Sequence, residues 1–115
     1  MLRVFCIAKI HRATITGTEL QYSGSITIDT EILDAVGMYP YEKVQVLNLN
    51  NGERLETYII PGEAGSKEII LNGPAARKGT VGDKIMIVAY GIGKPEEFPA
   101  PTVVELDDDN NIIKR

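Results

Sequence analysis

The chain has 115 residues, 43% hydrophobic and 24% charged, with twelve Lys and Arg against sixteen Asp and Glu for a net charge of −4. That length supports one compact domain with a real core and excludes two, and the acidic balance gives no general attraction to nucleic acid or to an anionic membrane. One histidine, His11, and one cysteine, Cys6, exclude an internal disulfide and the usual Cys/His zinc sites within one chain. Any chemistry here must draw on Lys, Tyr, Thr, Arg and carboxylates, on a cofactor, or on a group made from the backbone itself.

Short runs of β-branched and aromatic residues bounded by Gly, Asn, Pro and Asp predict mostly strands. The first covers about residues 2–16. Lys9, His11 and Arg12 cut its apolar opening well short of a signal peptide core or the ~20 residues of a membrane span. With the lone cysteine, this makes a cytoplasmic location the expectation. Lys9 and His11 lie two apart and share a face. A strand at 25–29 leads into a short helix that Thr30 would cap, with Ile32, Leu33 and Val36 as its apolar stripe and Gly37 as a left-handed stop. Strands at 43–50 and 53–60 should be antiparallel, joined at Asn50-Asn51-Gly52 through a type I′ turn. On the second of these, Arg54 and Tyr58 share a face and Thr57 points to the other. A strand at 68–71 precedes a helical turn through Pro74-Ala-Ala-Arg77, with Pro at its first position. Strands at 84–90 and 102–106 follow, and Asp107 to Asn111 reads as a turn or frayed end. Seven short strands with one or two short helices predict a mainly β fold, a small barrel rather than a sandwich.

Gly24-Ser25 is by itself a common turn dipeptide. By strand pattern alone, Arg54 reads as a surface arginine paired with Glu53 or Glu56, Tyr58 as a half-buried residue at a strand end, and Lys9 as solvated. His11 reads equally well as a histidine satisfied by main-chain groups. Five separated motifs read together say more: Lys9-Ile-His11-Arg-Ala-Thr-Ile-Thr16, Tyr22-Ser-Gly24-Ser25-Ile-Thr-Ile-Asp29, Asn50-Asn-Gly-Glu-Arg54-Leu-Glu-Thr57-Tyr58, Asn72-Gly-Pro-Ala-Ala-Arg77 and Val81-Gly-Asp83. In this order and spacing, the stretch from about Lys9 to Tyr90 closely resembles the pyruvoyl-dependent aspartate 1-decarboxylase family, whose members make β-alanine for pantothenate and coenzyme A synthesis.

That resemblance implies a double-psi β-barrel, a homotetramer with sites between subunits, and self-cleavage between Gly24 and Ser25. The products would be a short chain of residues 1–24 and a chain of residues 25–115 headed by a covalent pyruvoyl group made from Ser25. Neither a metal nor pyridoxal phosphate is expected. L-Aspartate would form a Schiff base with the pyruvoyl ketone, which accepts the electrons left by departing CO2. By the same resemblance Tyr58 is the proton donor, Thr57 assists self-cleavage and binds substrate, and Arg54 and Lys9 meet substrate carboxylates. Asn72 would lie near the processed serine. The backbone amides of Gly73, Ala75 and Ala76 would hold a substrate oxygen, Pro74 having no N–H to give. His11 and Tyr22 would border the pocket, and a maturation helper is a further partner the family reading allows. Alternation puts Thr57 opposite Tyr58, so both roles require either a site between subunits or a bulge that re-aims one side chain. Ser23, Leu47 and Pro74 depart from common family residues, and the chain beyond Tyr90 matches only loosely. Two other readings remain: a non-catalytic small β-barrel that binds a ligand or partner, and a self-cleaving homologue acting on a different acidic amino acid.

Overall fold

The computed structural model describes residues 1–21 and 23–114. Nine strands form one mixed sheet: β1 (Arg3–Thr14), β2 (Gly17–Glu19), β3 (Ser25–Asp29), β4 (Lys43–Asn48), β5 (Arg54–Gly62), β6 (Ile69–Asn72), β7 (Lys84–Gly93), β8 (Thr102–Leu106) and β9 (Ile112–Lys114). Their order is β2-β6-β3-β5-β4-β7-β1-β8-β9. The pairs β1/β8, β2/β6 and β3/β5 are parallel and the rest antiparallel. The three-residue strands β2 and β9 add to the seven expected; both are too short to show a period of two.

The sheet curls around its core. β1 slips register against β7 between Cys6 and Ala8 and again between Ile10 and Ala13, where Arg12 takes φ 63°. Such bulges bend a strand and increase its twist. The curl brings the exit of β1 to β6: the Thr16 N–H donates to the Ile69 carbonyl at 2.8 Å, and the Ile69 N–H to the Thr16 hydroxyl at 2.9 Å. Inside lie Ile10, Ile15, Ile26, Ile28, Ile59, Ile69, Ile85 and Ile87, each fully buried. An isoleucine of this kind contributes roughly 1.5–3 kcal/mol by leaving water.

Helix α1 (Thr30–Val36) closes one side with Ile32, Leu33 and Val36, and Gly37 at φ 77° ends it by donating to the Leu33 carbonyl. Its cap is Asp29 rather than Thr30. The buried Asp29 carboxylate accepts from the N–H groups of Glu31, Gly65 and Lys67 at 2.8, 3.0 and 2.8 Å, while the Thr30 hydroxyl donates to the Gly62 carbonyl. A carboxylate that satisfies three donors at once outcompetes the neighbouring hydroxyl. The β4/β5 pair is antiparallel as expected, but its turn is not type I′, which needs positive φ at both central residues. Only Gly52 has it, and residues 49–52 form a longer loop closed by the Asn48 N–H on the Glu53 carbonyl. The Asn48 side chain holds that loop by accepting from the Asn50 N–H. The segment 107–111 is a fixed turn between β8 and β9, with Asn110 buried inside it.

Candidate active site

Gly24 precedes β3 with φ 118°, a region that side chains rarely enter, and a Cβ placed there would come 3.4 Å from Pro74 Cδ. Ser25 opens β3 almost wholly buried and pairs with Asn72 across the antiparallel β3/β6 ladder. That register puts the Asn72 amide on the serine: Nδ2 donates to Ser25 Oγ at 2.8 Å and to Thr27 Oγ1 at 2.9 Å. A donor aimed at Oγ would stabilise negative charge growing on that oxygen were the hydroxyl to act as a nucleophile.

A cavity of about 300 Å³ opens beside this junction, lined by Gly24, Leu55, Thr57, Tyr58, Pro74 and Ala75, with Glu56 and Lys78 supplying its charges. Thr57 and Tyr58 reach it together without a bulge, since the β4/β5 register runs unbroken from Lys43–Tyr58 to Leu47–Arg54. The cause is an open edge. β3 pairs with β5 from Ile26 opposite Ile59 onward, so among the described residues the 54–58 stretch of β5 has no strand on that side. Extending the parallel register back by two residues sets Ser25 beside Tyr58 and Gly24 beside Thr57. At an unpaired edge both faces border the same space, which the alternation argument overlooked.

Other expected site residues lie elsewhere in this chain. Arg54 and Tyr58 are both exposed on β5, but four residues of strand separate them by about 13 Å, and Arg54 is not part of the cavity lining. Lys9 and His11 are half-buried on β1, three strand positions from β5, or about 14 Å at the usual strand spacing. Arg54 has neither expected carboxylate partner among the described residues: Glu53 pairs with Lys78 at 2.9 Å and Glu56 with Lys43 at 3.3 Å. The expected helical turn is a 3-10 turn, Gly73–Arg77, whose Gly73, Ala75 and Ala76 are buried, with Ala75 reaching the cavity. Asn72 and Thr27 also border a second cavity of about 440 Å³, with Glu19 and Glu68. Tyr22 lies outside the described residues. Sequence reasoning missed Lys78, which leaves an irregular turn with no periodicity to mark it, and Thr27, whose only signal was its place two residues after Ser25 on one strand face.

Fold and site thus define a mainly β protein with a conformationally special Gly–Ser junction, a buried serine addressed by an amide, and a small cavity beside it. The aspartate decarboxylase family model matches residues 1–113, so the match extends well past Tyr90 into β8 and β9. An aspartate 1-decarboxylase of Salinibacter ruber is 54% identical over 109 residues, covering 93% of this chain and 75% of the relative. One of Caldicellulosiruptor bescii is 56% identical over 109 residues, covering 93% and 85%, and one of Desulfotalea psychrophila 54% identical over 114 residues, covering 97% and 96%. The chain belongs to the aspartate decarboxylase family.

Proposed function

We propose that this chain decarboxylates L-aspartate to β-alanine and CO2 with a pyruvoyl group, supplying pantothenate and coenzyme A synthesis, and that it makes that group from Ser25. The observation that carries the second part is the junction itself: Gly24 at φ 118° before a buried serine whose Oγ accepts from Asn72. Ser25 Oγ attacks the Gly24 carbonyl carbon, the C–N bond breaks, and the acyl group passes to oxygen while the hydroxyl proton ends on the freed amine. Removal of the Ser25 Cα proton then expels the Gly24 carboxylate from Cβ, leaving dehydroalanine. Its imine form takes up water and releases ammonia, leaving a ketone at the head of residues 25–115.

The residues present fit that group, since nothing beyond the chain and one water is needed to form it. When formed, it supplies the electron sink that loss of CO2 from an α-carbon requires. Thr57 beside Gly24 assists the cleavage by hydrogen bonding near the glycine carbonyl and later contacts substrate. Tyr58 returns a proton to the substrate α-carbon. Arg54, free of its neighbouring carboxylates, offers a bidentate fork to a substrate carboxylate. Arg54, Lys9 and His11 lie too far along or across the sheet to meet Tyr58 within one chain, which supports a site completed between subunits of a homotetramer. The tie from the exit of β1 to β6 supports a closed double-psi barrel. A cytoplasmic enzyme goes with this reading; no helix of the described residues is long and apolar enough to cross a membrane.

Denaturing mass spectrometry after prolonged warm incubation, with a carbonyl-reactive probe, tests the reading directly. Two fragments divided at 24–25 with a probe adduct on the larger are expected, together with CO2 release from aspartate. An intact, unreactive chain would sink the mechanism and leave a ligand-binding barrel, whereas cleavage with CO2 release only from glutamate would reassign the substrate.

A further inference from the structure

Lys78 carries the one ammonium among the described residues that line the cavity beside Gly24, Thr57 and Tyr58. Its backbone is fixed. The Lys78 carbonyl accepts from Asn48 Nδ2 at 3.1 Å and from Asn51 Nδ2 at 3.0 Å, so the segment leaving the 3-10 turn is held against the β4–β5 loop. Immediately after it, Gly79 has no room for a side chain: a Cβ there would lie 2.7 Å from Ile15 and 2.9 Å from Leu71. The side chain, by contrast, is 43% exposed and, among the described residues, bonded only to Glu53, itself 46% exposed. Glu53 is not part of the cavity lining, and the one carboxylate that is, Glu56, pairs with Lys43 instead.

We propose that Lys78 is a specificity-determining residue, an entrance cation that leaves Glu53 to hold an incoming acidic substrate at this cavity. The inference rests on the aspartate reading above and adds a residue to it. An exposed ion pair contributes little net stability in water, so exchanging Glu53 for a substrate carboxylate costs little, and a compact, strongly hydrated ammonium on a flexible stem suits such exchange. An arginine fork would commit to one geometry. Glu53 therefore acts as an internal competitor that tunes affinity for an acid, and a substrate without a second carboxylate gains nothing from the exchange.

Steady-state CO2 release by fully processed protein, checked by denaturing mass spectrometry, tests this at several ionic strengths. Lys78→Gln should raise the aspartate KM about fivefold, the upper range of an exposed pair, with a far smaller change in kcat and a flatter salt dependence of kcat/KM. Lys78→Arg should restore most of the affinity, and Glu53→Gln should lower KM. An unchanged KM in Lys78→Gln would overturn the proposal, as would equal impairment by all three substitutions, which would mark a structural strut. Should Lys78→Gln fail to fold, an unchanged or raised KM in Glu53→Gln overturns it alone. Failure of the underlying reading is visible separately, as an unaltered chain that releases no CO2 from aspartate.

Discussion

Two buried asparagines, Asn72 and Asn110, are 3% and 2% exposed and spend their amides in opposite ways. Asn110, at φ 60°, accepts from the Thr14 N–H at 2.8 Å and donates to the Thr14 and Lys67 carbonyls at 2.9 and 3.0 Å. Every partner is backbone, so its side chain acts as a short piece of strand joining the ends of β1, β6 and the β8–β9 turn. Asn72 instead addresses two hydroxyls, one of them next to the positive-φ glycine. A buried amide that satisfies main chain is scaffolding; one that addresses the proposed nucleophile would donate where reaction charge grows.

The sharpest way to break that contrast is to remove what Asn72 holds. Ser25→Ala should give an uncleaved, inactive chain that folds normally, read by denaturing mass spectrometry and circular dichroism; two fragments would refute the mechanism. Tyr58→Phe should cleave normally and lose most turnover, and full activity would remove Tyr58 as proton donor. The asparagines themselves should cross over. Asn110→Ala strands two carbonyls and an N–H, costing about 2–4 kcal/mol and lowering Tm by roughly 10 °C, with cleavage intact. Asn72→Ala should slow cleavage by at least about tenfold at about 1 kcal/mol, because its amide bonds two side-chain hydroxyls rather than main chain, and the Thr27 hydroxyl borders the adjoining cavity. Equal effects of both on Tm and on cleavage would erase the distinction.

The smallest effect concerns pH. The Asn111 N–H holds the Asp107 carboxyl below its ordinary value of 3.8, and the hydrogen bond and charge of Lys84 do the same for Asp108. Depressed acids favour folding when ionised, so their contribution is complete above pH 3.8 and fades as pH falls through the lower folded-state values. Amide exchange at Asn111 should quicken below that point while exchange at Ile26 and Leu71, in the β3/β6 ladder, stays slow. Simultaneous loosening would mean that the scaffold and the site are one unit.

What the sequence revealed follows from how local each feature is. Gly37 ends α1, and Pro74 marks a helical turn that in fact opens one residue earlier, at Gly73; single-residue geometry makes both signals legible. Asn50-Asn51-Gly52 marked a chain reversal, yet its form depends on Asn48, whose amide also bonds Lys78 and Asp83 from across the fold. Thr30 lost the cap to Asp29 through N–H groups of Gly65 and Lys67, more than thirty residues away. The parallel pairs join segments that periodicity cannot match to one another. At the candidate site, the family resemblance singled out Gly24, Ser25, Thr57 and Tyr58, and Gly24, Thr57 and Tyr58 meet along the open edge of β5. Strand alternation put Arg54 and Tyr58 on a common face, but a face carries no distance, and the sheet keeps Arg54, Lys9 and His11 outside the cavity of their own chain.

The position of β1 has a kinetic consequence. It runs as an interior strand between β7 and β8, with Ile10 and Ala13 at 0% exposure, and both neighbours belong to the 25–115 segment. With the 24–25 peptide cut as proposed, the short piece would be interleaved with the long one and would leave only when the whole sheet comes apart. Refolding would then change molecularity: the uncut chain refolds at a rate independent of dilution, whereas the cut protein would have to find its partner in a bimolecular encounter that slows in proportion to dilution. Processing would convert a protein that recovers from unfolding alone into one whose recovery depends on how much of it is present.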